Sequence, residues 1–240
     1  MDLRNANSNS IFKEILKQYP ADKIIVVTDP PFNVGYKYKT YKDKMDESSY
    51  YDMLARFTEK LPSVVIHYPE QLFKLALRIQ KAPEKVCSWV YNSNTAKQHR
   101  DIAFFGVAPD MRQVLQPYKN PNDKRIRERI AAGHGGGRLY DWWNVNQVKN
   151  VSKVKTGHPC QMPVEVMKNI IGILPKDSII VDPFMGSGTT GVAVEKMNRE
   201  QNAHRRFVGI EIDEDYFRIA KDRIESEASE AGKQMMLDLK

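Results

Sequence analysis

The sequence predicts an α/β fold, a doubly wound and mostly parallel sheet interrupted by an insertion. Two short β-branched runs, Ile24 to Val27 and Ile179 to Val181, are followed within two residues by Asp-Pro, at Asp29-Pro30 and Asp182-Pro183. Runs of that length and composition read as buried strands ending in a loop. Around them, apolar runs alternate with segments of helical period, the pattern of parallel strands joined by crossover helices. Ligands of such sheets sit at the carboxyl ends of the strands. The two Asp-Pro loops are therefore expected on one rim.

In chain order, the first ten residues are rich in Asn and Ser and are expected to fray. A short helix is predicted over 11–19, then the first strand. Residues 33–46, where Lys and Tyr alternate, lack helical period and read as a mobile loop. A helix over 47–60 leads to a strand over 64–67. Pro69 suits a first helical turn, with Leu72, Leu75, Ala76 and Ile79 on one face. Strands are predicted over 86–91 and 102–107. From 109 to 157 the pattern dissolves among Pro117, Pro121, the run Gly133-His134-Gly135-Gly136-Gly137 and the pair Trp142-Trp143, which reads as packing. Pro163 opens the next helix, with Val164, Met167, Ile171 and Leu174 inward. The glycine-rich loop after the second Asp-Pro strand opens a helix over about 190–197. A strand over 207–212 and a helix from about Asp215 follow, and beyond Glu225 the tail reads as polar and loose. The expected division is thus 11–108, an insertion over 109–157, and 158–228.

A length of 240 residues, 41% hydrophobic and 28% charged, suits an ordinary globular protein. No long apolar run marks a membrane span, and no charged-then-apolar start marks a signal peptide. Cys87 and Cys160 have no metal-binding spacing, so no metal is expected, and they fit a reducing, cytoplasmic setting. The net charge of +7 is unevenly placed. Between Arg112 and Lys155, ten Lys and Arg face only Asp123, Glu128 and Asp141, and the remainder balances. A neutral body with one basic insert suits a polyanionic partner; a merely solvated basic loop has the same composition.

The second Asp-Pro loop, Asp182-Pro183-Phe184-Met185-Gly186-Ser187-Gly188-Thr189-Thr190, has glycines that let a ligand approach the backbone. It lacks the Gly-Lys-Ser/Thr ending of a phosphate loop and the three-glycine spacing of a dinucleotide fingerprint. Glu211, at the end of the next strand, stands where an acid accepts both ribose hydroxyls. Glycine loop, helix, strand and acid together point to an adenosine-containing ligand with no required phosphate. In the first loop, Asp29-Pro30-Pro31-Phe32, the prolines fix the backbone. The Asp29 carboxylate and the Pro30 carbonyl are then two acceptors beside a flat hydrophobe, Phe32. That set suits an exocyclic amino group on a stacked, flipped-out base, although alone it is also a plain rigid turn.

These patches resemble the S-adenosylmethionine-dependent amino-methyltransferases of DNA, in the class whose catalytic half precedes the cofactor half. Asp29-Pro30-Pro31-Phe32 is similar to the family's Asp/Asn/Ser-Pro-Pro-Tyr/Phe motif, His158-Pro159-Cys160-Gln161-Met162-Pro163 to its His-Pro-x-Gln-Lys-Pro, and the glycine loop with Gly209-Ile210-Glu211 to its cofactor motif. The resemblance covers about 22–108 and 156–225. It implies a Rossmann-like methyltransferase sheet with a target-recognition region inserted over 109–157. It makes Asp29, Pro30, Pro31 and Phe32 catalytic. Asp29, Thr156, His158, Asp182, Pro183 and Phe184 would border S-adenosylmethionine, as would Gly186, Ser187, Gly188, Thr189, Thr190, Glu211 and Ile212. The partner implied is double-stranded DNA, in a chain that pairs as a homodimer in some relatives. Lys124, Arg125, Arg127, Arg129 and Arg138 would meet DNA, as would Lys37 and Lys39 of the Lys-Tyr loop; the four crowded residues 124–129 could equally form a solvated helical face. Met162 stands where the family has lysine, and Phe32 where tyrosine is commoner. Neither change removes a group the chemistry needs. Asp as first motif residue leans to adenine N6, with cytosine N4, an RNA or protein amide, and a silent DNA-binding relative as rivals.

Overall fold

The apolar runs assemble into one eight-stranded sheet. A computed structural model describes residues 1–38, 40–148 and 155–238, with side chains followed to Ser229. The elements are β1 (Asp2–Asn5), α1 (Ser8–Gln18), β2 (Ile24–Thr28), α2 (Glu47–Thr58), β3 (Ser63–His67), α3 (Pro69–Ile79), β4 (Lys85–Val90) and β5 (His99–Phe105). Then follow β6 (Leu115–Gln116), α4 (Lys124–Ala131), β7 (Gly137–Arg138), β8 (Trp142–Asn144), α5 (Val164–Gly172), β9 (Ile179–Asp182), α6 (Thr189–Gln201), β10 (Arg206–Glu211) and α7 (Glu214–Asp238). The sheet order is β1-β10-β9-β2-β3-β5-β4-β8, and β6 pairs with β7 apart from it.

The two Asp-Pro strands are neighbours: β2 and β9 run parallel, in register from Ile24 opposite Ile179 to Val26 opposite Val181. Only β5 runs against the rest. Asp29, His67, Arg100, Asp182 and Glu211 therefore all come to one rim of the sheet. Buried on both faces, β2 and β3 read as unbroken apolar strands, and the two faces carry separate cores.

Five expectations change. The first residues do not fray: β1 gains a parallel ladder along β10, and the Asn7 side chain caps α1 by accepting from the Asn9 N–H. Strands β4 and β5 begin one and three residues earlier than read, and β5 ends at Phe105. The stretch after 109 does not stay outside the sheet, because β8 joins its edge beside β4. Trp143 is buried there, with its indole N–H on the Tyr140 carbonyl at 2.8 Å, and truncating so buried an aromatic costs about 3–5 kcal/mol. Trp142 is half exposed and stacks on Tyr140, so the pair divides between packing and surface.

The remaining two changes concern the Lys-Tyr loop and the tail. The loop is pinned from within by Asp43, which is buried and accepts from the N–H groups of Asn33, Val34 and Tyr36. Asn33 adds a two-way bond with the Met45 backbone. The tail continues as helix α7, held by Ile224 in the core and by Glu227, which pairs with Lys196 at 2.7 Å and with Arg199.

Candidate active site

The rim carries one cavity of about 310 Å³ into which both Asp-Pro loops open. Its walls include Asp29, Pro30, Pro31 and Phe32 from the first loop. From the second they include Asp182, Pro183, Phe184, Gly186, Ser187, Thr189 and Thr190, joined by His158, Glu211 and Ile212. Gly188 and Thr156 stand behind the wall. Gly188 adopts φ +77° as the N-cap of α6, where an added Cβ would meet the Ala220 backbone at 2.9 Å. Thr156 accepts the His158 N–H at 3.2 Å and donates its own N–H to Gln161 at 2.7 Å, so it shapes the histidine turn.

On the glycine-loop side, each carboxylate is held by the backbone around it. Glu211 accepts the Gly186 N–H at 2.9 Å through one oxygen and the Asp213 N–H at 2.9 Å through the other. Each oxygen keeps a further lone pair for a ligand. Asp182 accepts the Phe184 N–H at 3.0 Å and the Thr190 hydroxyl at 2.5 Å. Gly186 has φ +51°, and an added Cβ would sit 3.0 Å from the His158 ring; the histidine thus closes against the loop and packs edge-on to Tyr216. Burial, with Lys155 adding, pushes His158 down to about 4, so the ring is neutral.

On the other side, Tyr50 of α2 donates to the Pro31 carbonyl at 2.7 Å and lies 2.8 Å from His67 Nε2. His67 Nδ1 accepts the Tyr68 N–H at 2.8 Å, which leaves the proton on Nε2 facing Tyr50. Burial first, and then Arg100, drives His67 down to about 3, so this tautomer persists. The ring stacks on Phe32 with centroids 4.3 Å apart. Phe32 is thereby braced on one face. The Pro31 carbonyl is already used, and Pro30 lines the cavity.

Burial pushes Asp29 up to about 6 against the opposing pull of Arg100, whose guanidinium stands 3.3 Å away. Asp182 rises to about 7 for the same main reason, with Thr190 and the Phe184 N–H opposing, and burial raises Glu211 as well. Three carboxyl groups facing one small cavity favour an occupant that carries positive charge. A sulfonium-bearing nucleoside fits: Glu211 for ribose hydroxyls, the glycine loop for close backbone approach, and carboxylates near a cation.

Several lining residues had no sequence signal. Arg100 sits in the polar start His99-Arg100-Asp101 of β5, Tyr38 and Thr40 lie in the Lys-Tyr loop, and Asn7 to Asn9 in the expected frayed end. Thr40 donates to Asp213 at 3.0 Å, so the loop straps across the cavity from the Asp29 side to the Glu211 side. Lys37 is exposed on this strap and bridges Lys42; Lys39 lies outside the described residues.

The structure does not bring the basic helix to the cavity. The Asp110 N–H bonds the Ile173 carbonyl at 2.9 Å, Gln201 donates to the Gln113 carbonyl at 2.9 Å, and the Leu139 N–H meets the Met111 and Val114 carbonyls. Ile173 and Gln201 end α5 and α6, so the stem that carries α4 springs from the opposite rim. Lys124, Arg125, Arg127 and Arg129 lie on α4 away from the cavity walls, and Arg138 is exposed on β7. Sharing a strand end, not proximity in the sequence, decides what reaches the site.

Fold and cavity together define a Rossmann-like nucleoside-dependent transferase with a second, aromatic-lined subsite. The DNA methylase family, in its N6/N4 form, matches residues 24–222, and the chain belongs to it, and so to the S-adenosylmethionine-dependent methyltransferases. Among relatives, Type II methyltransferase M.HpaI of Haemophilus parainfluenzae is 26% identical over 95% of this chain and 76% of its own length. DNA adenine methyltransferase YhdJ of Escherichia coli K12 is 24% identical over 88% and 79%. The match to M.ScaI of Streptomyces caespitosus is 38% identical but spans half of this chain and 39% of that one. Matches to other relatives span about two fifths of their length. The M1.HpyAVI–SAM complex superposes with TM-score 0.57 at 22% identity, over 92% of this chain and 98% of that one. TTHA0409 of Thermus thermophilus with S-adenosyl-L-methionine gives 0.59 at 16%, over 95% and 94%. These two show the fold.

Proposed function

We propose that the protein methylates the N6 amino group of adenine in double-stranded DNA, acting in the cytoplasm. The observation that carries this is the shared cavity, where Asp29, Pro30 and Phe32 line the same space as Glu211 and the glycine loop. S-adenosylmethionine, bound by Glu211 and the glycine loop, would supply the methyl group. Phe32 offers a ring to an extruded base, an interaction worth about 1–3 kcal/mol. An aromatic amino nitrogen is a poor nucleophile because its lone pair is delocalised. Asp29 and the Pro30 carbonyl accept its two hydrogens, which favours a tetrahedral nitrogen and frees that pair. Asp29 then offsets the positive charge that develops on nitrogen. Holding the two reactants in line supplies the larger part of the acceleration. Digestion of a treated plasmid to nucleosides tests the reading. N6-methyladenine supports it, N4-methylcytosine transfers it to the other base, and an unmodified digest rejects it.

The pH dependence follows from Asp29. Asp29 accepts its hydrogen and offsets the developing charge in the carboxylate form, and the buried group titrates at about 6. The value of kcat/KM for DNA is therefore expected to fall about tenfold per pH unit below about 6 and to level off above it. A profile flat to pH 5 removes Asp29 as the acceptor.

Lys37 stands between Tyr36 and Tyr38, which line the cavity, and serves phosphates beside the extruded base. The α4 cluster meets the duplex farther along, through phosphates. Replacing Lys124, Arg125, Arg127 and Arg129 with Gln is expected to raise the Kd for DNA and to lower the slope of log K against log salt by as much as about 3 to 4. An unchanged slope makes α4 a solvated face.

A further inference from the structure

A base that stacks on Phe32 needs room against the ring, and two planar groups already lie over it. On one side lies His67, stacked at 4.3 Å and locked by Tyr50 and the Tyr68 N–H. A planar group that close leaves no room beside it, and a ring bonded on both nitrogens does not step aside. The Arg100 guanidinium also lies over the Phe32 ring, 4.6 Å from its centroid. The same guanidinium reaches Asp29 Oδ2 at 3.3 Å. It therefore stands at both places a target base must use, the ring for stacking and the carboxylate for the amino hydrogens.

We infer that Arg100 is a positioning residue that stands where the target base would bind, and that the base enters by displacing it from Phe32 and Asp29. The inference rests on the reading of Asp29 and Phe32 given above. Both side chains are largely buried, at 14% and 19% exposure for Arg100 and Asp29. Yet Arg100 Nε and Asp29 Oδ1 are buried without a hydrogen-bond partner. A pair left half satisfied is a poor permanent salt bridge and a good one to exchange. The retreat is also built: Arg100 pairs across the sheet with Trp89, its Cζ 5.2 Å from that ring, and Tyr91 interacts with it from the end of β4. Strand β5 fixes the Arg100 backbone, so only its side chain needs to swing.

The arrangement has two consequences. Beside Asp29, the guanidinium favours the carboxylate against the burial that favours its acid form. When a planar base arrives, it replaces one planar cation on Phe32 and exchanges one set of donors to Asp29 for another. A ligand without an amino group gives Asp29 nothing in return, so displacement favours bases that carry one.

The groups that face Asp29 are Arg100 from β5, Asp182 from β9, Tyr50 from α2, Tyr91 from the end of β4, Tyr38 from the strap and Cys160 from the histidine turn. Arg100 is the cation among the groups acting on Asp29. The test is Arg100→Gln and Arg100→Lys, assayed on unmethylated plasmid DNA at saturating S-adenosylmethionine across pH. The acid limb of kcat/KM reports the free enzyme, and that of kcat the loaded one. For Arg100→Gln, the kcat/KM limb is expected to move up by about one pH unit or more, the effect of losing an adjacent cation. The kcat limb is expected to stay, because Arg100 has already left the loaded site. Arg100→Lys keeps the charge without the planar stack, so its kcat/KM limb stays and its KM for DNA falls severalfold.

Movement of both limbs in Arg100→Gln overturns displacement, since the guanidinium then remains beside Asp29 with the base bound. Neither limb moving, with KM unchanged in both variants, overturns any part for Arg100 at the site. A raised KM in both variants makes it a simple DNA contact and also refutes the inference. Binding of S-adenosylmethionine by the same preparations reports folding, and if the Gln variant fails there, the Lys variant alone decides by its KM. Asp29→Ala run in parallel separates the two failures: if it remains active, the base site itself is wrongly placed.

Discussion

Asp29→Ala is expected to lower kcat by a factor of about 1,000 or more while the Kd for S-adenosylmethionine stays close to the wild-type value. The Asp29 carboxylate meets Arg100 and the cavity, and it makes no bond to the glycine loop or Glu211 among the described residues. Removing one preorganised electrostatic partner of a transition state costs about 100- to 1,000-fold. Here the same group also selects the nucleophilic geometry of nitrogen, so the loss should reach or exceed the upper figure. The folded state should tolerate the change. Burying this carboxyl raises its pKa above the ordinary value, to about 6. The folded chain thus disfavours the ionised form, and that cost is absent below the ordinary carboxylate range and grows as pH rises towards about 6. Losing the group relieves the cost, although it strands the Arg100 guanidinium, which is the larger risk to stability. Calorimetric titration with S-adenosylmethionine and single-turnover methylation check the two halves separately. Wild-type turnover would remove Asp29 from the chemistry; a matched loss of cofactor affinity would make it a cofactor ligand only.

Much of this site was legible because strand ends carry local signals. Apolar runs closing on Asp-Pro identified β2 and β9, and their parallel pairing then placed Asp29 and Asp182 on one rim. Glu211 followed from the next strand by the same logic. What was not legible depends on pairing between distant segments. Arg100 reaches Asp29 because antiparallel β5 brings His99 and Arg100 back to the rim, and nothing in the residues around 100 states that direction. Residues 2–5 look polar and loose until β10 offers an edge. The strap 33–46 lacks a period, but one buried carboxylate, Asp43, gives it a fixed shape through three backbone N–H groups. The basic insert was legible in composition but not in place: its stem is anchored beside Ile173 and Gln201, at the rim away from the cavity. Charge patterning suits a polyanionic partner and carries no information on which pole of the sheet would meet it.

Glu211→Ala is expected to weaken S-adenosylmethionine binding by about 100-fold, with a smaller fall in kcat once the cofactor is saturating. Three interactions go at once. The Gly186 N–H and the Asp213 N–H each lose a charged acceptor at 2.9 Å, and the ligand loses the group placed for its ribose hydroxyls. Hydrogen bonds to a charged group contribute about 1.5–3 kcal/mol each, and a buried donor left unmade costs about as much. A factor of about 100 is about 2.7 kcal/mol, so one such bond to the ligand accounts for it, and the two backbone bonds govern how well the loop keeps its shape. Glu211→Gln separates the contributions. The amide oxygen retains one acceptor for a backbone N–H and loses the second, so the variant should bind between wild type and Glu211→Ala. If both variants bind S-adenosylmethionine as wild type does, the acid only shapes the turn, and the adenosine end of the methyl donor must lie elsewhere in the cavity. If both fail to bind and also unfold at lower temperature by the same amount, the backbone bonds dominate. The expected result is graded: Glu211→Gln, which keeps one backbone bond, loses less thermal stability and less affinity than Glu211→Ala, which keeps none.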